Sequence, residues 1–181
     1  MFLSLVLLAV AVVVWGAFSF NTLVRLRNQV RTAWADIDVQ LKRRHDLVPQ
    51  LVAAVQGYKG YEQSVLTSVT ELRSKAMATT SPAKLGETEA ALEKGLAQIV
   101  ALKEAYPDLK ANQNFLQLQR DLVGIEDQLQ YARRFYNGGV RDYNTRIERF
   151  PDMLVANIGG FTETEFFSAD ESDRPVVNVA L

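Results

Sequence analysis

Few side chains in this protein are suited to catalysis, and its single histidine is the first to consider. The 181 residues include one histidine, His45, and no cysteine, which excludes thiolate chemistry, disulfides and cysteine-based zinc sites. A carboxylate di-metal site in a helical bundle needs two Glu-x-x-His pairs, and no acidic residue precedes His45 at that spacing. Phosphate-binding glycine loops, GxSxG and HExxH are also absent from the sequence. The sequence therefore predicts a protein that is not an enzyme and carries no cofactor or metal.

His45 lies on an apolar helical seam, between Leu41 and Val48. We expect a histidine in this position to lie at the edge of a core, hydrogen-bonded to a tyrosine or a carboxylate of a neighbouring helix. The alternative is a pH-sensitive core, because imidazole titrates near neutrality. No nucleophile, base and orienting group can be assembled around His45, so it does not predict catalysis.

The N-terminal segment is the element that must position the rest of the chain. Its residues 1–20 carry no charge. At about 1.5 Å per residue, a helix of this length spans a hydrocarbon core of roughly 30 Å. The sequence therefore predicts a membrane anchor over residues 1–22, a soluble body over 23–167 and an acidic, flexible tail over 168–181. A cleaved signal peptide is the alternative, but no basic residue precedes the apolar run.

Basic residues directly after the anchor predict its orientation. Arg25, Arg27 and Arg31 follow the apolar segment, and no basic side chain precedes it. By the positive-inside rule, the N-terminus lies outside and the body lies in the cytoplasm. Arg25 and Arg27 are also close enough to the anchor to contact lipid headgroups.

Apolar residues recur at steps of three or four almost throughout the body, which predicts an all-α protein. The transmembrane helix is expected to continue into an elongated, antiparallel four-helix-bundle-like domain. Pro49 is expected to kink the first helix without ending it. The fourth helix has a coiled-coil-like seam, and Thr162 with Glu165 forms a candidate capping box after it. The expected helical segments are 23–55, 58–76, 82–106 and 115–147.

Three consecutive basic residues, Lys42, Arg43 and Arg44, lie on the first of these helices. A straight helix places Lys42 about 33 Å beyond the membrane boundary, well past a Debye length of ~8–10 Å. Anionic lipid is therefore not their expected partner. We expect a solvated face, with an exposed docking patch for a protein as the functional alternative.

Aromatic residues supply two further candidate surfaces. Tyr131 and Phe135 are four residues apart on the fourth helix but lie off its core seam. Such a second apolar face contacts either another helix of the bundle or an external partner. Near the C-terminus, Phe161, Phe166 and Phe167 are candidate anchors in the membrane interface.

Several long motifs resemble the signature of the LemA family of bacterial membrane proteins. They are residues 33–52 (AWADIDVQLKRRHDLVPQLV), Gly57-Tyr58, 109–118 (LKANQNFLQL), 131–144 (YARRFYNGGVRDYN), Phe150-Pro151, Gly160-Phe161 and Phe166-Phe167. The resemblance implies one N-terminal membrane helix, a soluble helical bundle and a place in the bacterial inner membrane. It implies no agreed activity and no catalytic residues. One relative is associated with magnetosome membranes, which suggests a role in organising membranes or assemblies.

Together these patterns favour a membrane-anchored helical scaffold that binds an unidentified membrane or cytoplasmic protein, or a second copy of itself. The net charge of −1 gives no reason to expect nucleic acid as a partner. The alternative is a peripheral membrane-shaping or lipid-sensing module, with residues 153–167 lying in the membrane interface.

Overall fold

The computed structural model describes residues 1–57 and 63–167, and within these ranges the protein is helical without strands. The expected all-α helical bundle is therefore confirmed. The expected acidic tail, and Tyr58 and Tyr61 at the start of the second predicted helix, lie outside the described residues. The elements are α1 (Phe2–Gln56), α2 (Gln63–Ala78), α3 (Pro82–Ala101), a 3-10 turn (Leu102–Glu104), α4 (Pro107–Lys110), α5 (Gln113–Glu148) and α6 (Asp152–Ile158).

Helix α1 joins the apolar N-terminal segment to the first helix of the body without a break. Pro49 lies inside α1 and does not end it, as expected. An 18-residue stretch of α1 near the N-terminus has a mean hydropathy of 2.5, and only 6% of it is buried. The helix is thus long and apolar enough to cross a membrane.

The third predicted segment is interrupted earlier than its apolar spacing indicates. Helix α3 ends at Ala101, and the chain tightens into the 3-10 turn before α4 begins at Pro107. Tyr106 is extended, with φ −125° and ψ 94°, because the proline ring disfavours helical geometry in the residue before it.

The chain divides into two compact units, and each takes part of α1 and part of α5. The first unit contains Met1–Ile37 and Ala132–Phe166. Among the described residues, the second unit contains 38–57, 63–131 and Phe167. Each unit has its own buried core.

The core of the second unit is built from α1, α2, α3, α4 and α5. A glycine lets two of these helices approach closely, because a Cβ at Gly95 on α3 would lie 2.7 Å from Cγ2 of Val69 on α2. The members of this core are Val48, Leu51, Val55, Leu66, Val69, Leu92, Leu96, Ile99, Leu109, Phe115, Leu118 and Leu122.

In the first unit, α5 contributes Tyr136, which lies against Trp34 of α1 with ring centroids 5.2 Å apart. Burial, followed by the nearby Glu165 carboxylate, raises the pKa of Tyr136 to about 12. Its hydroxyl therefore stays protonated at neutral pH and donates to the Glu165 carbonyl at 2.8 Å. Other buried apolar residues of this unit are Leu23, Val30, Ala33, Ile37, Val140, Tyr143, Ile147, Ala156 and Phe161.

The expected capping box of Thr162 and Glu165 is wrong, because residues 161–167 are not helical. Helix α6 ends at Ile158. Two residues later Gly160 takes φ +65°, and the Phe161 N–H donates back to the Ala156 carbonyl at 3.0 Å. The segment then runs along α5. There the Asn144 side-chain amide exchanges two 3.0 Å hydrogen bonds with the backbone of Thr164. These bonds replace those that a helix would have supplied.

Candidate functional site

A cluster of buried charges lies in the second unit, centred on Arg44 of α1. Its Nη1 donates to Glu89 Oε2 of α3 at 2.8 Å, and its Nη2 pairs with Glu126 of α5. A third carboxylate, that of Glu93, lies 3.7 Å from Nη2. His45 Nε2 lies 2.7 Å from Glu89 Oε1. The Arg44 guanidinium and the His45 imidazole thus each contact one oxygen of the buried Glu89 carboxylate.

The expectation that Arg44 lies on an exposed basic face is wrong, because its side chain is fully buried. Leu41, Arg44 and Val48 follow one another at steps of three and four, so they share the inward side of α1. A charge in this position is tolerated only when it is paired, and Glu89 and Glu126 supply that pairing. Lys42 and Arg43 are exposed, and their role in docking stays a prediction.

His45 occupies the position expected of it, at the edge of a core and against a carboxylate of a neighbouring helix. It is 8% exposed, and its partner is Glu89. Its backbone carbonyl also accepts a 2.7 Å hydrogen bond from Nε of Arg73 on α2. His45 therefore links α1 to both α2 and α3. A pH-sensitive role for it stays a prediction.

Sequence reasoning missed the acidic half of the cluster, although a signal for it was present. Leu85, Glu89, Leu92 and Leu96 are separated by steps of four, three and four, so Glu89 occupies a seam position of α3. A carboxylate at a seam position needs a cation or hydrogen-bond donors opposite it, and arginine supplies both. That requirement points to an arginine on a neighbouring helix and away from an exposed basic run.

The cluster is suited to joining helices. Its charged groups pair with one another, and they link α1 with α2, α3 and α5 inside the second unit. Within residues 1–57 and 63–167, no group of three His, Cys, Asp or Glu side chains is placed to hold a metal ion. The direct pairing of Arg44 and His45 with carboxylates makes the cluster a buried ionic junction.

A second polar cluster, in the first unit, holds α6 beside the apolar part of α1. Ser19 Oγ donates to Asp152 Oδ1 at 2.5 Å, and Arg146 Nε lies 2.8 Å from Asp152 Oδ2. Ser19 is fully buried and Asp152 is 4% exposed. Residue 19 belongs to the predicted anchor, and its pairing with a residue 133 positions away had no sequence signal.

Two of the three aromatic residues expected in the membrane interface are buried, so that expectation is wrong for Phe161 and Phe167. The Phe161 ring packs edge-on against Phe20, with centroids 5.4 Å apart. The Arg27 guanidinium lies 4.9 Å from the centroid of the same ring. The error has a physical reason: an amphipathic helix would have exposed these rings, but residues 161–167 fold back without forming one.

Of the remaining members of that predicted set, Arg27 is half-buried beside the Phe161 ring, whereas Arg25 and Phe166 are exposed. Phe166 is 47% exposed, and Arg25 faces solvent on α1. Lipid contact by these two residues stays a prediction.

The exposed aromatic pair on α5 is distinct from the core seam of that helix. Tyr131 and Phe135 are 63% and 53% exposed, whereas Tyr136 on the same helix is 2% exposed. Neither ring is therefore part of the buried core of the bundle. Contact of the pair with an external partner stays a prediction.

Comparison with known proteins gives a consistent assignment. The LemA family model matches residues 33–181. Protein LemA of Metamycoplasma hominis is 28% identical over 164 residues, which cover 88% of this chain and 74% of the relative. Magnetosome protein MamQ 2 of Paramagnetospirillum magneticum is 22% identical over 203 residues, with coverage of 97% and 75%. Magnetosome protein MamQ of Magnetospirillum gryphiswaldense is 21% identical over 199 residues, with coverage of 95% and 73%. The family match includes the arginine–glutamate cluster and the whole of α5, and this chain belongs to the LemA family.

Proposed function

We propose that this protein is a non-enzymatic helical scaffold, anchored in a bacterial inner membrane by the N-terminal part of α1, which binds another protein through the outer face of α5. The observation that carries the proposal is the exposure of Tyr131 and Phe135 on a helix whose seam is buried. Large aromatic side chains are enriched at protein interfaces and supply much of their binding energy.

Two further observations support a scaffold. In the arginine–glutamate cluster, Arg44 pairs with Glu89 and Glu126 of neighbouring helices. This pairing supports a structural role for these charges. Two relatives carry the name magnetosome protein. Their names support the proposal that this protein is part of a larger assembly. Exposed Lys42 and Arg43 add a basic surface on α1 that suits an acidic partner.

Site-specific photocrosslinking in cells tests the α5 surface. Benzoylphenylalanine in place of Phe135 is expected to give a discrete adduct, whereas the same group in place of Gln130, also exposed on α5, is expected to give none. Mass spectrometry of the adduct then distinguishes a second copy of this chain from another protein. The double variant Tyr131→Ala/Phe135→Ala should lose the same partner on purification from solubilised membranes, and Gln128→Ala/Gln130→Ala should retain it. Identical recovery with both double variants would contradict the proposed interface.

We infer that the N-terminus of α1 lies outside the cell and the bundle lies in the cytoplasm, because Arg25, Arg27 and Arg31 follow the apolar segment. The cysteine-free chain makes a labelling test direct. A Lys42→Cys variant is expected to react with a membrane-impermeant maleimide only after cells are permeabilised, whereas Phe2→Cys reacts in intact cells. Reaction of the Lys42→Cys variant from outside intact cells would reverse the orientation.

A further inference from the structure

Helix α6 exposes large apolar side chains where an ordinary surface helix carries polar ones. Its buried side carries Asp152 and Ala156, which are 4% and 1% exposed. Its outer side carries Leu154 and Ile158, which are 50% and 89% exposed, and Phe150 just before the helix is 73% exposed. We call Phe150, Leu154 and Ile158 the α6 row. Leu154 and Ile158 are four residues apart and share one face of α6, and Phe150 adds a third exposed apolar side chain in the turn that precedes the helix. A water-facing helix would be expected to carry polar residues on this face.

The α6 row lies beside the end of the membrane-crossing segment. The Ser19–Asp152 hydrogen bond fixes the first residue of α6 to α1, and Phe161, just after α6, packs on Phe20. Ser19 is also the first fully buried side chain of α1, because the residues before it are exposed or half-buried. The exposed apolar part of α1 therefore ends where α6 is attached.

Dimensions place this attachment at the membrane surface. A helix over residues 1–18 is about 27 Å long, which is close to the roughly 30 Å thickness of the hydrocarbon core. When this stretch lies in the hydrocarbon, Ser19 and α6 lie at the level of the headgroups. An apolar face at that level is typical of helices that lie in the interface.

Charge around the α6 row matches an anionic headgroup layer. Arg149 directly precedes Phe150 and is exposed, and Arg25 is exposed on α1. Arg25 lies six residues after Ser19, about 9 Å along the helix axis, which is within the range of the surface potential.

We infer that α6 is a membrane-interface helix whose outer row, Phe150, Leu154 and Ile158, inserts among the lipids around the point where α1 leaves the bilayer. The inference rests on the proposed anchoring by α1 and adds a second contact with the same membrane. Its residues differ from the aromatic anchors expected from sequence, since Phe161 and Phe167 are buried. Two points of contact restrict the tilt and depth of α1, which a single span leaves free.

Fluorescence of an environment-sensitive label tests the inference on the full-length chain. Single-cysteine variants Ile158→Cys and Leu154→Cys are labelled with a nitrobenzoxadiazole group and reconstituted in phosphatidylcholine–phosphatidylglycerol vesicles that contain nitroxide lipid. The matched control is Arg141→Cys on α5, whose side chain is 72% exposed. We expect blue-shifted emission at 154 and 158, with lipid quenching several-fold stronger than at 141. Circular dichroism of each labelled protein confirms that it is folded.

Flotation of the same vesicles distinguishes anchoring by α1 from membrane contact by α6. Protein that fails to float would overturn anchoring by α1, and with it the proposed membrane scaffold. Protein that floats but shows equal quenching at 158 and 141 would overturn the membrane-interface helix alone. A blue shift without lipid quenching would also overturn it, because that result assigns the α6 row to a protein contact.

Discussion

Replacing Arg44 with methionine is expected to lower the free energy of unfolding by about 3–5 kcal/mol, the usual cost of removing one partner from a buried ion pair. The substitution keeps an unbranched side chain but removes the positive charge. It leaves the Glu89 carboxylate, which is 0% exposed, without its guanidinium partner. A lower midpoint of thermal unfolding, followed by circular dichroism of the full-length protein in detergent micelles, measures the loss.

The adjacent arginine is a matched control for this prediction. Arg43→Met makes the same chemical change at an exposed position, and surface substitutions of this kind stay within about 0.5 kcal/mol of the native protein. The double variant Arg44→Met/Glu89→Gln is expected to lose less stability than the sum of its single variants, because the two side chains interact directly. Equal destabilisation by Arg43→Met and Arg44→Met would contradict the burial of Arg44.

Replacing Tyr136 with alanine is expected to cost about 3–5 kcal/mol, as for other large aromatic residues removed from a core. The ring is 2% exposed and lies against Trp34, so its loss leaves a cavity. It also leaves the Glu165 carbonyl without the hydroxyl that bonds to it. Hydrogen exchange of the first unit measures this cost locally, and protection of Trp34 and its neighbours on α1 should fall most.

Tyr131→Ala is the control, because Tyr131 lies on the same helix but is 63% exposed. Its expected effect is within about 0.5 kcal/mol. Tyr136→Phe keeps the ring and removes only the hydroxyl, so it should cost about 1 kcal/mol. If Tyr131→Ala and Tyr136→Ala reduced protection to the same degree, the assignment of Tyr136 to the core would be wrong.

These two predictions address the two compact units separately. Arg44 belongs to the second unit and Tyr136 to the first. Arg44→Met is therefore expected to reduce hydrogen-exchange protection mainly within Asp38–Tyr131, and Tyr136→Ala mainly within Met1–Ile37 and Ala132–Phe166. Such a division would show that the stability of each unit depends on its own buried contacts.

Much of the fold was predictable because helices are encoded locally. Steps of three and four between apolar residues predicted the fourth helix over 115–147, and α5 extends from Gln113 to Glu148. A run of 20 residues without charge predicted the apolar segment of α1. Apolar residues at steps of three and four after it predicted that the helix continues into the body. The same periodicity placed His45 at the edge of a core. Each of these features depends on neighbours within a few residues along the chain.

The candidate sites were less predictable, because burial of a polar or aromatic side chain depends on partners that are distant in sequence. Arg43 and Arg44 are identical neighbours, yet only Arg44 meets Glu89, 45 residues away. Phe161 and Phe166 have the same side chain, yet only Phe161 is covered by α1. Helical phase supplies part of this information, as the seam position of Glu89 shows, but it does not identify the helix opposite.

The sequence by itself thus determined the helical class and the apolar segment at the start of α1, since these follow from local periodicity and composition. Its long motifs carried the resemblance to the LemA family, which the family match over residues 33–181 shows. Tertiary structure alone decided which charges form the buried junction and that Ser19 holds Asp152 at the start of α6. It also decided that the exposed apolar row near the apolar segment of α1 is Phe150, Leu154 and Ile158. The physical reason is that pairing and burial depend on which helix faces are brought together, and this is a property of the whole folded chain.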